Sequence, residues 1–400
     1  MRTASRVARI KPSPSTAAAQ RVRELKDRGR RILDLTVGEP DFDTPEHVKQ
    51  AAVDAIGRGE TKYTPVNGTP QLRQAIADKL AQRHGLTFEP ERITVGGGAK
   101  QVIYLAFAAT VDSGDEVIIP APYWVSYPDM VLANDGTPVI VECAEADGFK
   151  LTPERLRAAI TPQTRWLVLN TPGNPAGAAY NGAELRALAD VLLDHPDVAV
   201  LTDEIYDEIF YEREPMPTLA AVEPRLAGRV LLTNGVSKTY AMTGWRIGYG
   251  AGPADLVAAI NKLQSQSSSC PSSVSQAAAV AALTGDQEFV RESVEVYRNR
   301  RDLVVKLVRD TPGLGCLVPH GGFYVFVDCR PLLGRTTPGG AVLRTDEDFL
   351  AYLLETEQVA AIHGAAYGTP GYFRISFATS SEVLEEAGGR IRRACEALSR

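Results

Sequence analysis

Apolar residues along the chain gather into short runs separated by longer stretches of mixed character. From about residue 93 these runs fall at 93–95, 116–119, 138–141, 166–169, 198–202, 230–233 and 247–250. Helix-like periods lie between most of them. That alternation predicts a mostly parallel sheet covered by helices on both faces. Binding sites in such sheets form beyond the carboxyl ends of the strands.

The flanks read differently. Lys11-Pro12-Ser13-Pro14-Ser15 is an extended arm, 17–28 a helix capped by Gly29, and 34–45 a strand breaking into a Gly/Pro/Asp loop. Helices are expected at 45–57 and 70–84. After Pro253 helical patterns continue to about Arg309, and the heavy charge of 287–301 reads as a solvated connecting helix. The remainder mixes an apolar run at 321–327, a charged helix at 346–357, a strand at 372–377 and a last helix, with 335–345 as a surface hairpin or loop. These patterns divide the chain into a large unit over 46–297 and a smaller α/β unit made of 1–45 and 298–400. Two units suit a length of 400 residues.

Composition narrows the field only a little. Hydrophobic residues make up 44% and charged residues 23%, ordinary for a globular protein, and the net charge of -6 speaks against generic nucleic-acid binding. Five cysteines without a CxxC pair, and five histidines without HExxH spacing, point to reduced thiols and no structural metal. The basic start of the chain lacks an apolar core, and no run of about 18 apolar residues occurs, so a cytoplasmic location is expected. Asn67-Gly68-Thr69, formally a glycosylation sequon, is then only a turn.

Several positions carry candidate chemistry, each with a plainer alternative. Lys238 follows the apolar run 230–232, and a lysine shielded from water at a strand end can act as a nucleophilic amine; most lysines are solvated surface groups. Asp203 follows the run 198–202, where a helix cap would look the same. Gly96-Gly97-Gly98-Ala99-Lys100 precedes a helix-like run at 102–111, an arrangement that favours an anion but also serves as a simple capping turn. Asn174 sits in a Pro-Gly-Asn-Pro bend, and Trp124 and Tyr63 suit packing as well as binding. Arg374 alternates with Phe373, Ile375 and Phe377, so it faces away from those apolar neighbours. Neither a Gly-x4-Gly-Lys loop nor GxGxxG is present.

In combination and in this order the motifs are specific. Ser237-Lys238 followed by Gly244-Trp245-Arg246-Ile247-Gly248, with Asp203-Glu204-Ile205-Tyr206 upstream, resembles the class I aminotransferases, pyridoxal phosphate (PLP) enzymes of fold type I. The resemblance covers nearly the whole chain from about Lys11. It implies a mostly parallel seven-stranded sheet flanked by helices, plus a smaller α/β domain. It implies that Lys238 holds the cofactor as a Schiff base and later carries the proton. Asp203 would keep the ring nitrogen protonated, while Tyr206 and Asn174 hydrogen-bond the ring's phenolate oxygen. Gly98, Ala99, Lys100, Ser237 and Arg246 would seat the phosphate, with Trp124 stacked on the ring. Tyr63 would reach the phosphate of the neighbouring subunit in a homodimer. Arg374 would grip the substrate α-carboxylate, and the backbone at Gly38 would approach it. Ala176 departs from the family's usual threonine, which leaves the role of Asn174 intact.

Within the family, Gly38-Glu39-Pro40-Asp41-Phe42-Asp43-Thr44-Pro45, the segment Pro122 to Tyr127 and the segment Ala361 to Gly368 look most like bacterial aspartate aminotransferases, including those that also accept prephenate. The expected reaction is a ping-pong exchange of the amino group between an L-amino acid, aspartate first, and 2-oxoglutarate. Lys11 is the candidate for the distal carboxylate. An aromatic or basic amino acid, prephenate, or a lyase or decarboxylase reaction on the same fold remain open. A transcription regulator would need a DNA-binding region before Lys11, and a silent binding protein would not need every cofactor position filled.

Overall fold

The computed structural model describes residues 1–12 and 14–399; Ser13, inside the expected arm, and Arg400 lie outside the described residues. Seven strands form the central sheet: β1 (Ile93–Gly96), β2 (Glu116–Ala121), β3 (Thr137–Glu142), β4 (Thr164–Asn170), β5 (Ala199–Asp203), β6 (Val230–Gly235) and β7 (Gly248–Ala251). Their order is β1-β7-β6-β5-β4-β2-β3. Only β7 runs against its neighbours, antiparallel to β1 and β6; the other pairs are parallel. The expected strands are all present.

Apolar runs rather than alternation mark these strands because both faces are covered. In β6, Leu231 joins a core with Ile103 and Phe107 of helix Ala99–Thr110, while Leu232 joins another with Ile76 and Leu80 of helix Pro70–His84. In β4, Val168 enters the first of these cores, and Leu167 and Leu169 enter a third with Leu188 of helix Gly182–Leu193. Each such side chain contributes about 1.5–3 kcal/mol through burial. Helix ends follow local rules too: Thr69 caps helix Pro70–His84 by accepting from the Leu72 amide at 3.3 Å, and Gly85 ends it at φ 66°.

A second sheet contains β8 (Gly315–Cys316), β9 (Tyr324–Asp328), β10 (Ile362–His363) and β11 (Tyr372–Ser376), in the antiparallel order β10-β11-β9-β8. Leu33–Asp34 pairs in parallel with Val359–Ala360, so the N-terminal segment joins the C-terminal part of the chain. The segment 335–345 forms a hairpin in which Thr336 bridges Val342.

One expectation is corrected. The charge-rich stretch 287–301 belongs to helix Glu288–Arg309, which is amphipathic and not solvated all round. Val290 packs into the core under helix Pro70–His84, while Tyr297, Val304 and Val308 pack into the core of the second sheet. Steps of seven, seven and four residues place these on one stripe, which the intervening Arg and Glu residues conceal in a charge count.

Candidate active site

A cavity of about 630 Å³ is lined from both sheets, at the carboxyl ends of the central strands. Lys238, Ser237 and Arg246 come from the segment after β6, Asp203 and Tyr206 from the end of β5 and the turn beyond it, and Asn174 from the loop after β4. Trp124 follows β2, Ala99 and Lys100 open the helix after β1, Gly38 comes from the N-terminal loop and Arg374 from β11. The parallel sheet converges the groups from β1, β2, β4, β5 and β6, since it points its strand ends to one side, while Gly38 is brought in by the N-terminal loop and Arg374 by the second sheet.

Three predicted residues stand apart. Gly98 borders the cavity through Arg246. Tyr63 is 90% exposed and lines no part of this cavity. Lys11 lines a neighbouring groove that shares Lys100 and Arg246, and its backbone amide donates to Asp129 at 2.9 Å.

Lys238 donates to the Gly38 carbonyl oxygen and lies 5.9 Å from the Phe323 ring. Burial lowers its pKa to about 8; Glu39 opposes this, and Arg374 and Arg246 add to it. Near neutral pH the amine therefore has access to its nucleophilic neutral form.

Asp203 is buried, and its Oδ2 accepts from the Tyr127 hydroxyl at 2.6 Å. The other oxygen, Oδ1, has no well-formed hydrogen bond among the described residues. Burial pushes the carboxyl up to about 6, against the Tyr127 hydroxyl, the Ile205 amide and the Lys238 charge. A buried acceptor without a donor is costly, so a cationic N–H group in the cavity would be stabilised there.

Arg374 is buried at 2% exposure on β11. Its Nη1 donates to Asn174 Oδ1 at 3.0 Å and its Nη2 to the Thr36 carbonyl at 2.6 Å, while its guanidinium lies 4.3 Å from the Tyr324 ring centre. No carboxylate pairs with it among the described residues, and Nε has no hydrogen-bond partner. The apolar alternation read from the sequence is real, with Phe373, Ile375 and Phe377 in the core, but the opposite side of the strand is the cavity rather than solvent. A guanidinium so placed is suited to a planar carboxylate.

At the other end of the cavity, Gly98 has φ 96° and starts helix Ala99–Thr110. A Cβ on Gly98 would lie 2.3 Å from Arg246 Nη2, and one on Gly248 would lie 2.0 Å from the Ala99 nitrogen. The two glycines thus let the arginine and the antiparallel strand close on the helix start. Arg246 also donates to the Gly97 carbonyl at 3.0 Å. Helix amides, Ser237 and Arg246 together make a seat for a phosphate. Lys100 lies 4.7 Å from the Trp124 ring centre, its pKa lowered by burial and by Arg246.

The model of the family described as aminotransferase class I and II matches residues 30–391. The chain belongs to this family. Its sequence is 52% identical to an aspartate aminotransferase of Rhizobium meliloti (strain 1021), over 99% of this chain and 97% of that protein. It is 51% identical to an aspartate/prephenate aminotransferase of Cereibacter sphaeroides, over 98% of each chain. Among solved structures, a Rhizobium meliloti aspartate aminotransferase superposes with a TM-score of 0.97 at 52% identity, covering 100% of both chains. The aspartate aminotransferase of Thermus thermophilus with maleate gives 0.91 at 42% identity, over 98% of this chain and 100% of that one.

This aminotransferase is a PLP enzyme of fold type I. The cavity fits that cofactor on its own terms. Among the described residues Asp203 Oδ1 lacks a donor, the Gly98–Arg246 corner suits an anion and leaves little room for a Cβ, and Lys238 supplies an amine of lowered pKa.

Several residues of the site escaped the sequence reading. Tyr127, which stands behind the cavity wall and not in it, holds Asp203; it lies one turn after Trp124, and nothing in its neighbourhood singles it out. Tyr324 meets the Tyr206 hydroxyl at 3.0 Å and lies against Arg374. Its signal was available in principle: register pairs Phe326 with Arg374, so Tyr324, two residues away on β9, shares that face. Helix Pro14–Asp27 also lines the cavity, through Thr16, Ala19, Val22, Arg23 and Lys26.

Proposed function

We propose that this enzyme exchanges the amino group between L-aspartate and 2-oxoglutarate, giving oxaloacetate and L-glutamate in two half-reactions. The observation that carries the reading is one cavity holding an amine of lowered pKa, a buried carboxylate with an unpartnered oxygen and a buried guanidinium without an acid. Bound there, PLP supplies an aldehyde that joins amines and a ring that accepts electron density.

The chain's own groups divide the remaining work. Arg374 binds the α-carboxylate of the amino acid through a charge-assisted fork, with Asn174 and Thr36 fixing the guanidinium's orientation. Lys238 Nζ would hold the cofactor and, freed for substrate, would take and return the Cα proton. A pKa of about 8 suits both directions of that transfer. Asp203 places negative charge where the ring nitrogen is protonated, and Tyr127 keeps that carboxylate in place. Tyr206 and the Asn174 amide would hydrogen-bond the ring's phenolate oxygen. Gly98, Ala99, Lys100, Ser237 and Arg246 would hold the phosphate, and Trp124 would cover the ring.

Aspartate is favoured as donor by the names of the relatives and by the maleate, a dicarboxylate, in the Thermus structure. Prephenate is the second reading, supported by the Cereibacter relative. Lys11 stays a candidate for the distal carboxylate, from the groove beside the cavity. The same proposal includes a homodimer, supported by the exposure of Tyr63 outside its own cavity, and a cytoplasmic location, supported by five free cysteines. It also includes a large domain at 46–297 and a small one from 1–45 and 298–400. The central sheet within 93–251 and the second sheet within 315–376 support that division.

A screen of amino donors against 2-oxoglutarate, oxaloacetate, pyruvate and prephenate tests the reading. Aspartate with 2-oxoglutarate is expected to give the highest kcat/KM. Release of ammonia or carbon dioxide in place of an oxo acid would overturn it. Lys238→Ala is expected to lose both the near-visible absorbance of bound PLP and transamination.

A further inference from the structure

A second group of charges lies close to the cavity yet lines no part of it. Between Asp203 and Glu208 the chain turns two ways: Asp203, Ile205 and Tyr206 line the cavity, whereas Glu204, Asp207 and Glu208 do not. Glu204 and Asp207 are fully buried. One helix, Pro70–His84, brings the cations. Lys79 pairs with Glu208. Arg83 Nε stands 3.2 Å from Asp207 Oδ2 as an ion pair, and Arg83 Nη2 donates to the Asp207 carbonyl at 2.7 Å. His84 Nε2 lies 3.6 Å from the same carboxylate oxygen.

The cluster also reaches the strand that carries the lysine. The Asn234 side chain, four residues before Lys238, helps hold the Asp207 carboxyl in its charged form, and Lys79 Nζ lies 5.6 Å from the ring of Tyr240, two residues after it. The Glu204 amide donates to the Thr233 carbonyl at 2.9 Å, and Glu204 accepts from Thr218 at 2.6 Å. The Asp207 amide donates in turn to the Glu204 carbonyl at 2.9 Å, so Asp207 is linked through Glu204, the residue after β5, to Thr233 on β6. These are the strands whose ends present Asp203 and Lys238.

Its charges persist despite burial. Burial pushes Asp207 up, but Lys79, His84 and Arg83 outweigh it and hold the carboxyl well below its usual range. Lys79 stays well above the ordinary lysine value, because Glu208 and its neighbours overcome the burial. Taking such ions out of water is costly, and apolar residues would join helix to sheet more cheaply. What an ionic cluster adds is direction: each partner has one favourable place.

We propose that Asp207, clamped by Lys79, Arg83 and His84, is a positioning residue that fixes Asp203 relative to Lys238 and so sets how the two act on one bound cofactor. The proposal rests on the transaminase reading above. Its test compares wild-type, Asp207→Asn and Arg83→Gln holoenzymes, with Lys238→Ala as control. Three quantities are measured: the pH titration of the near-visible absorbance of bound PLP, kcat and KM for aspartate, and the urea unfolding midpoint.

Asp207→Asn is expected to move the absorbance titration by about 0.5 pH unit or more. It is expected to lower kcat by roughly tenfold or more, with KM changed less than about twofold. Should that variant fail to fold, Arg83→Gln, at the more exposed edge of the cluster, is expected to show the same pattern with smaller shifts. A lowered unfolding midpoint with unchanged titration and kcat would make the cluster purely structural and overturn the proposal. If wild-type enzyme shows no PLP absorbance beyond that of Lys238→Ala, the transaminase reading falls and the proposal with it.

Discussion

Lys79 and Lys238 are two lysines in dense surroundings on either side of one short stretch of chain, and they have opposite fates. Lys79 meets Glu208 directly and keeps its charge, with a pKa well above the ordinary value. Lys238 has no carboxylate at ion-pair distance among the described residues; its surroundings include Arg374 and Arg246, and its pKa falls to about 8. Burial acts the same way on both. What separates a structural lysine from a reactive one is whether the fold supplies its counter-ion.

The largest effect should come from deleting each in turn. Lys238→Ala is expected to lower turnover by roughly 10⁴-fold with little change in the urea unfolding midpoint. Lys79→Ala leaves the largely buried Glu208 with Arg83 as its remaining cation and is expected to cost about 1–3 kcal/mol in the same unfolding measurement. Loss of stability in the first variant and none in the second would break the contrast.

Arg374 extends the comparison to a second cation that lacks an acid. Arg374→Leu is expected to reduce kcat/KM for aspartate roughly 10³-fold, equivalent to about 4 kcal/mol. Its unfolding free energy should fall only modestly, by about 1–3 kcal/mol, because Asn174 Oδ1 and the Thr36 carbonyl lose a donor but no carboxylate loses a partner. Steady-state kinetics beside a urea titration decide this.

A smaller, graded effect concerns pH. The neutral amine of Lys238 is the form that attacks an aldehyde, and its pKa lies near 8. The rate at which apoenzyme takes up PLP, followed by absorbance, should therefore rise with pH up to about 8 and level off above it. A rate still climbing steeply towards pH 10 would show that Lys238 keeps an ordinary pKa.

The mildest change is Tyr127→Phe. Removing the hydroxyl that donates to Asp203 should raise that carboxyl further above about 6. The acid limb of the kcat/KM profile should move to higher pH, with about 1 kcal/mol lost at the optimum. An unmoved acid limb would show that the hydroxyl has no hold on the carboxylate.

Much of this architecture was legible because it is local. Each central strand is a short apolar run, and Lys238, Asp203 and Asn174 belong to segments that pattern alone places at strand ends. Helix Pro70–His84 announces itself through Thr69-Pro70 at one end and Gly85 at the other. What remained hidden depends on registers and distances across the chain. Tyr324 faces Arg374 only because Phe326 pairs with it across two strands. The cluster around Asp207 needs residues more than a hundred positions apart, and its lysine and arginine look like surface charges in sequence. Helix Glu288–Arg309 misled for a related reason: its buried stripe is narrow, and charge dominates the count.

Gly98 deserves a last consequence. A methyl group at that position would meet Arg246 Nη2 at 2.3 Å, on a residue that would have to adopt φ 96°, so the backbone would be strained and the guanidinium displaced without any charge in the protein changing. A mutational survey that weighed residues by their polarity would overlook this position.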